Sequence, residues 1–390
     1  MKIHFITGAT GFVGKYLAEA LLKKNENVWV LVRPTAELSV EDRAQEIFGE
    51  FLHKWPTTFK FIEGDIVVNK NLGITNKDIS ALDKNEVIFW HLAANLSFSV
   101  VNKENVQKTN CVGTANAVTF ANHHAKKFIH MSTAYVCGDS LKFSENELFK
   151  GQKFRNHYER SKSEAEKFVH ENCKLPYKVF RPSIIIGDAY QGKAEGCTFG
   201  YYRYTFMFYF LRKNIMKKLE SGGFISRLFK LVGSSYDERD KALTVPWLFI
   251  PYPRNGIVDM ISVDHVIESM VELYDKEFDS MAVHLTHNDP PKHRFILDSI
   301  LHDVGFRKFR LLPVPPKLFA VSVKVLYFVV FPIRKYVKSV MWYIPYITTR
   351  CEFDKTVVEK HYKNPPKVSR DLIKRINEYA KENILENIEI

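Results

Sequence analysis

Short apolar runs alternate along the first half of the chain with stretches whose apolar residues recur at helical spacing. "KIHFIT" is a compact apolar strand, and "FVGKYLAEALLKK" sets Val13, Leu17, Ala20 and Leu21 along one helical face. "VWVLV", "KFIEGD" and "EVIFWHLAA" read as three further strands. A helix is predicted over "ENVQKTNCVGTANAVTFANHH", a fifth strand at "KFIHMSTAYV", a helix over "NHYERSKSEAEKF" and another strand at "YKVFRPSIII". Strands that alternate with helices imply an α/β fold: a doubly wound parallel sheet of Rossmann type, with right-handed crossovers. Ligands of such sheets bind at the carboxyl ends of the strands.

From about Gly187 the texture changes. "GYYRYTFMFYFLRKNIMKK" is dense in aromatics and cations, and "VPWLFIPYPRNGIVDMISVDHVIESMVELY" returns to strand and helix. The predicted division is a dinucleotide-binding domain over 1–187, to which 255–290 partly returns, and a smaller, apolar and basic substrate-binding lobe over 188–254 and 291–390. The most apolar segment, 311–346, contains the run Leu318 to Pro332, interrupted by Lys324. That is too short and too charged for a membrane span. A basic amphipathic helix lying on a membrane, a lid over an apolar tunnel and an ordinary core helix all fit.

With 390 residues there is room for two or three domains, or one with large insertions. The five cysteines, Cys111, Cys137, Cys173, Cys197 and Cys351, are scattered and never in CxxC spacing. A disulfide framework or zinc site is not expected, and a reducing, cytoplasmic setting fits. The opening "MKIHFITGATGFVG" reads as a strand entering a glycine turn rather than as a signal peptide. The net charge of +12 is uneven: 301–350 carries nine Lys and Arg against Asp303 alone, or +8. Such a patch attracts anionic lipid, nucleic acid or phosphorylated small molecules and carriers. No nucleic-acid-binding module accompanies it, so a nucleic-acid partner is not expected.

"TGATGFVG" puts Gly8, Gly11 and Gly14 directly after the first strand and at the mouth of the first helix. Gly8 suits a tight turn, Gly11 removes a side chain where backbone must approach a pyrophosphate, and Gly14 permits close helix–strand packing. The helix N-terminus offers unpaired N–H groups to phosphate. The second strand, "VWVLVRP", ends at Arg33 with no carboxylate. A guanidinium suits a 2′-phosphate, so NADP is expected over NAD, although Arg33 could instead stack on adenine. Asp65 lies at another strand end, where it could accept from the adenine amino group. His91, in "HLAAN", is expected to shape the strand turn near the cofactor. No second ligand stands at metal spacing from it.

Tyr158 and Lys162 stand four apart, on one face of the predicted helix. Together with the glycine turn and "STAY", this pair resembles the extended short-chain dehydrogenase/reductase family, from which Arg33 departs: many extended members carry an acidic residue after the second strand, and its replacement here weakens the sugar-nucleotide epimerase reading. Further matches are "GDI", "HLAA", "NCVGT" and "RPSIIIGD". Within the family the chain looks most like the fatty acyl-CoA reductase and carrier-protein thioester reductase branch, through "DMISVDHVIESMVELY" and "YIPYITTRCEFDKTVVEKHY".

The resemblance implies that Tyr158 protonates a carbonyl oxygen and Lys162 binds the nicotinamide ribose and lowers the tyrosine pKa. Thr133 would hydrogen-bond the same oxygen, with Ser132 as the other candidate, and Asn110 would brace the active-site helix or a water near Lys162. The residues expected along the dinucleotide are Gly8, Thr10, Gly11, Phe12, Val13, Gly14, Arg33, Asp65, Ile66, Leu92, Ala93, Ala94 and Asn110, with Tyr158 and Lys162. The implied activity is NADPH-dependent reduction of a long-chain acyl thioester, on CoA or an acyl carrier protein, to the aldehyde or on to the alcohol. Segments 199–211 and 311–346 would house the acyl chain, their cations would meet the carrier's phosphates, and 311–346 could touch a membrane. A hydroxysteroid or lipid alcohol dehydrogenase, a sugar-nucleotide epimerase or dehydratase, and a non-catalytic NADP-binding protein are the alternatives.

Overall fold

A computed structural model of the chain describes residues 1–329 and 341–385. Residues 330–340, part of the apolar segment 311–346 and the site of Arg334, Lys335 and Lys338, lie outside the described residues. The chain forms two compact units. Unit 1 holds Met1–Ser183, Val263–Thr286 and Cys351–Pro365; unit 2 holds Ile184–Ser262, His287–Arg350 and Pro366–Ile390.

Unit 1 is built on seven parallel strands: β1 (Lys2–Thr7), β2 (Asn27–Val32), β3 (Phe59–Glu63), β4 (Glu86–His91), β5 (Lys127–Met131), β6 (Tyr177–Pro182) and β7 (Val283–Leu285). Their order is β7-β6-β5-β4-β1-β2-β3. The reversal between β1 and β4 creates the crevice at which a doubly wound sheet takes its ligand. The helices are α1 (Phe12–Lys23), α2 (Val40–Lys54), α3 (Asn76–Asp83), α4 (Lys103–Gln107), α5 (Gly113–His124) and α6 (His157–Asn172). One face of the sheet packs Ile3, Phe5, Phe89, Phe128 and Val179 against Ala117, Phe120 and Ala121 of α5 and Val169 of α6. Helix α1 packs beside the returning helix Val263–Leu273. The strands are buried nearly end to end, which is why their sequences run apolar without alternation.

The division expected from sequence assigns 351–365 to the second lobe. It lies in unit 1 instead, because Glu352 and Phe353 pair in parallel with Lys142 and Phe143. The Glu145 carboxylate also accepts from Val357 N at 3.0 Å and from His284 N at 3.0 Å. Unit 2 contains α7 (Tyr201–Glu220) and α8 (Phe224–Leu231), a parallel strand pair Phe249–Pro253 and Arg310–Val314, and the helices His293–Asp303 and Arg370–Asn383. There Tyr201 donates to Asn377 Oδ1 at 2.6 Å, and Asn377 to Asp303 Oδ2 at 2.8 Å. No helix among the described residues is long and apolar enough to cross a membrane.

Helix α6 is tied to β6 by a fully buried ion pair. Arg181 Nε donates to Glu166 Oε1 at 2.9 Å and Nη2 donates to the same oxygen; Nη2 also reaches Glu147 O at 2.7 Å. Burial opposes the Glu166 charge, but the Arg181 guanidinium outweighs it and holds the carboxyl at about 2, from 4.5. A depressed carboxylate contributes stability above its unfolded pKa and loses it as pH falls through the folded one. The pair's contribution is therefore complete above pH 4.5 and is lost on acidification toward about 2. Arg181→Met, which leaves Glu166 buried and unpaired, is predicted to cost about 3–5 kcal/mol in urea unfolding. The double variant Glu166→Leu/Arg181→Met should recover most of that loss; equal instability of the two variants would contradict this account.

Candidate active site

The glycine turn follows from steric need. Gly8 has φ +78°, and a Cβ there would lie 2.5 Å from Ala93 N. A Cβ at Gly14 would lie 2.2 Å from Gly8 O, so both positions exclude side chains on their packed sides. Gly11 differs: a Cβ there would meet only Gly8 O, at 3.4 Å, so its outer face is open. No side chain among the described residues caps α1 at Gly11, and its first turn holds no acid. The N–H groups of Phe12 and Val13 thus begin a helix with its positive end uncompensated. Leu92 and Ala93 close against Gly8, and Ala94 continues the same strand end.

At the end of β2, Arg33 is exposed and lies 3.7 Å from Asp65 Oδ2. Asp65 also accepts from Val67 N at 3.1 Å, and Ile66 O accepts from Asn116 at 2.9 Å. A second guanidinium, not singled out from sequence, joins them. Arg43 of α2 donates to Arg33 O at 2.7 Å and approaches Thr10 Oγ1 at 3.5 Å. Its pKa is lowered, first by burial and then by the Arg33 charge. Two cations converge beside the glycine turn, and an anion between them would relieve their repulsion.

His91 is buried between two hydroxyls: Thr7 Oγ1 lies 2.8 Å from Nδ1, and Thr114 Oγ1 lies 3.0 Å from Nε2. The Thr114 proton is engaged with Asn110 O at 2.6 Å, so Thr114 accepts from Nε2–H and Thr7 donates to Nδ1. Burial, aided by the Lys162 charge, takes His91 down to about 3, so the ring is neutral. It shapes the strand end, as its place in the sequence suggests. His130 stacks on it with ring centroids 5.5 Å apart.

Between α4 and α5 the helix widens into a π turn, Lys108–Val112, a distortion often found at functional sites. The turn carries Asn110, whose Oδ1 accepts from Asn95 N at 2.7 Å. Its Nδ2 donates to Asn95 O at 3.0 Å and to Ser161 Oγ at 2.9 Å. Asn110 therefore clamps the loop after β4 to α6.

Tyr158 stands in the first turn of α6, whose start is tightly specified. Asn156 caps it by accepting from Glu159 N at 2.9 Å, and Glu159 accepts from Arg155 N at 2.9 Å and Arg155 Nη1 at 3.0 Å. One turn on, Lys162 is buried and donates to Met131 O at 2.6 Å. Of the two hydroxyls left open by the sequence, Thr133 is the one that acts on the Tyr158 phenol, opposing the rise of its pKa, whereas the Ser132 hydroxyl is buried with no hydrogen-bond partner among the described residues. Thr133 also accepts from Tyr135 N at 3.3 Å, and the Tyr158 ring lies 5.6 Å from Phe98.

The Tyr158 pKa lies above its ordinary value, not below it as the neighbouring Lys162 led us to expect. Burial dominates and pushes the phenol well up, against the smaller opposing effect of Thr133. Lys162 itself is lowered by burial to about 8. Its ammonium is taken up by the Met131 carbonyl.

The glycine cradle, the open face of Gly11 and the paired guanidiniums suit a dinucleotide phosphate chain; the half-buried phenol and the buried ammonium suit its nicotinamide end. Residues 6–270 match the NAD-binding family described as male sterility protein. The chain is 30% identical over 222 residues to fatty acyl-CoA reductase 1 of Gallus gallus, covering 46% of this chain and 42% of that protein. It thus spans less than half the length of that relative.

The terminal R domain of the myxalamid PKS-NRPS pathway superposes with a TM-score of 0.70 at 18% identity, covering 98% of this chain and 91% of that one. UDP-glucuronic acid 4-epimerase of Bacillus cereus, solved with UDP-glucuronic acid and NAD, gives 0.59 at 16%, covering 98% and 99%. At such identities the likeness is one of fold. The cofactor class is a nicotinamide dinucleotide, and the chain belongs to the male sterility protein family of NAD-binding proteins, within the extended short-chain dehydrogenase/reductase fold.

Proposed function

We propose that the protein reduces a long-chain acyl thioester, borne on CoA or an acyl carrier protein, to the aldehyde with NADPH. The observation that carries this reading is the grouping of Tyr158, Thr133 and Lys162 at the carboxyl end of β5, in the same sheet as the glycine turn. The likeness to a fatty acyl-CoA reductase supplies the substrate class.

A bound reduced nicotinamide supplies the hydride. Tyr158, kept protonated by burial, gives its proton to the thioester oxygen, and Thr133 shares the negative charge that develops there. Lys162, already buried and cationic below about pH 8, orients the ribose hydroxyls. Collapse of the hemithioacetal breaks the C–S bond, and the thiol departs with a proton, leaving the aldehyde. The aromatic helix α7 and the segment 311–346 are assigned to the acyl chain. The exposed Arg307, Lys308, Arg310, Lys317 and Lys324 are assigned to the phosphates of the carrier.

What supports NADPH over NADH is that Arg33 stands at the end of β2 and Arg43 donates to its carbonyl at 2.7 Å, so a 2′-phosphate bound there would meet two cations. Charge-assisted hydrogen bonds of this kind contribute about 1.5–3 kcal/mol each. Arg43→Ala and Arg33→Ala are each predicted to raise KM for NADPH by about 10- to 100-fold and leave KM for NADH nearly unchanged. A parallel rise for both dinucleotides would remove the 2′-phosphate assignment.

With NADPH and a long-chain acyl-CoA, consumption of reduced nicotinamide should be accompanied by free thiol, read with a disulfide dye. Tyr158→Phe should lower kcat by about 10²- to 10⁴-fold. Nicotinamide turnover without thiol, seen instead with steroid alcohols or nucleotide sugars, would sink the thioester reading.

The lowered Lys162 pKa sets a pH dependence. The ammonium is present below about 8 and is lost above it. The kcat/KM for NADPH is predicted to be level below that pH and to fall by about tenfold per unit above it. Lys162→Met should be poor throughout and lack the break; a wild-type profile level to pH 10 would contradict the assignment.

A further inference from the structure

Helix α8 has an inverted relation to the protein it belongs to. Its sequence, "FISRLFKL", is strongly amphipathic, yet the side packed on the protein carries Ser226 and Phe229. Ser226 is buried and donates to Leu219 O of α7 at 2.6 Å. Phe229 lies 5.1 Å from the Trp247 ring, and Trp247 Nε1 donates to Ser234 Oγ at 2.5 Å. The larger apolar residues point outward. Phe224 is 81% exposed and Leu231 83%, with Ile225, Leu228 and Val232 exposed beside them. At helical spacing these five form one contiguous ridge.

A monomeric soluble protein seldom presents such a ridge unless something covers it. The charges around it select the cover. Arg227 and Lys230 flank the ridge and are exposed, and α8 contains no acid. Lys217 and Lys218, exposed near the end of α7, add to them; against Glu220, residues 217–232 carry four cations and one anion, or +3. A second copy of the chain meeting this face across a two-fold axis would set the same cations against each other. An anionic bilayer satisfies both features: the ridge enters the boundary between headgroups and acyl chains, and the cations meet lipid phosphates. Eight residues are far short of the roughly 20 needed to span, so the helix would lie flat.

We propose that α8 is an interfacial anchor that seats unit 2 on an anionic lipid surface. Phe224, Ile225, Leu228 and Leu231 insert, and Arg227 and Lys230 hold the phosphates. The inference does not depend on the thioester activity and concerns residues outside the dinucleotide site. It is also separate from any contact made by 311–346, whose residues are left intact in the test.

The test is sedimentation of the full chain with vesicles of phosphatidylcholine alone or with about 30% phosphatidylglycerol. The expected result is capture by the anionic vesicles only, weakening as salt is raised. Phe224→Ser/Leu231→Ser should lower the partition coefficient by about tenfold or more. Arg227→Glu/Lys230→Glu should lower it on anionic vesicles to the level seen with neutral ones. Both variants should keep the wild-type circular dichroism and dinucleotide affinity, which shows them folded. The proposal is overturned if the wild-type protein stays in the supernatant with anionic vesicles, or if either folded variant binds them as the wild type does. It is equally overturned if light scattering shows a wild-type dimer that the serine variant dissolves while lipid capture is unchanged.

Discussion

An ammonium group moved from water into a protein interior loses several kcal/mol of solvation unless something replaces it. Lys162 is buried on α6, and what replaces its water includes the Met131 carbonyl at the end of β5, at 2.6 Å. One turn further along the same face, Glu166 meets the equally buried Arg181 of β6. These contacts fix both the depth of α6 and its rotation about its axis. Tyr158, one turn before Lys162, is set near Thr133 by the same rotation. A helix held only by apolar packing could slide or turn by a fraction of a residue. A helix pinned by two cations at defined acceptors has far less freedom to do so.

The same burial sets the protonation states. It raises the phenol, lowers the ammonium and leaves His91 neutral between Thr7 and Thr114. The site therefore holds a protonated acid one helical turn from a cation whose pKa is about 8. A dinucleotide ribose would offer Lys162 a new partner in place of Met131 O.

What was legible in the sequence was local. The glycine turn, the apolar strands and the four-residue spacing of Tyr158 and Lys162 each depend on neighbours a few positions away, and pattern reasoning reaches that far. Arg43 escaped because its role depends on the direction of α2, which returns it to the backbone of Arg33. The Glu166–Arg181 pair joins a helix to the strand after it, and nothing in either segment announces the other. The π turn at Lys108–Val112 reads simply as helix, since one extra residue in a turn leaves the apolar spacing almost intact. Residues 351–365 were placed with the wrong unit because a two-residue strand pairing and the Glu145 contacts are invisible without coordinates. Helix α8 shows the opposite failure: its amphipathic pattern is plain, but the usual inference that the apolar side faces inward is reversed.

The central claim is that Tyr158 and Thr133 address the atom being reduced while Arg33 and Arg43 hold the far end of the cofactor. The most direct measurement is a crystal structure with bound NADP. The account predicts the 2′-phosphate between the two guanidiniums, the Lys162 ammonium on the nicotinamide ribose, and the two hydroxyls within about 4 Å of a carbonyl oxygen docked at the reactive ring carbon. A nicotinamide ring turned away from Tyr158, with Lys162 still bound to Met131 O, would contradict it.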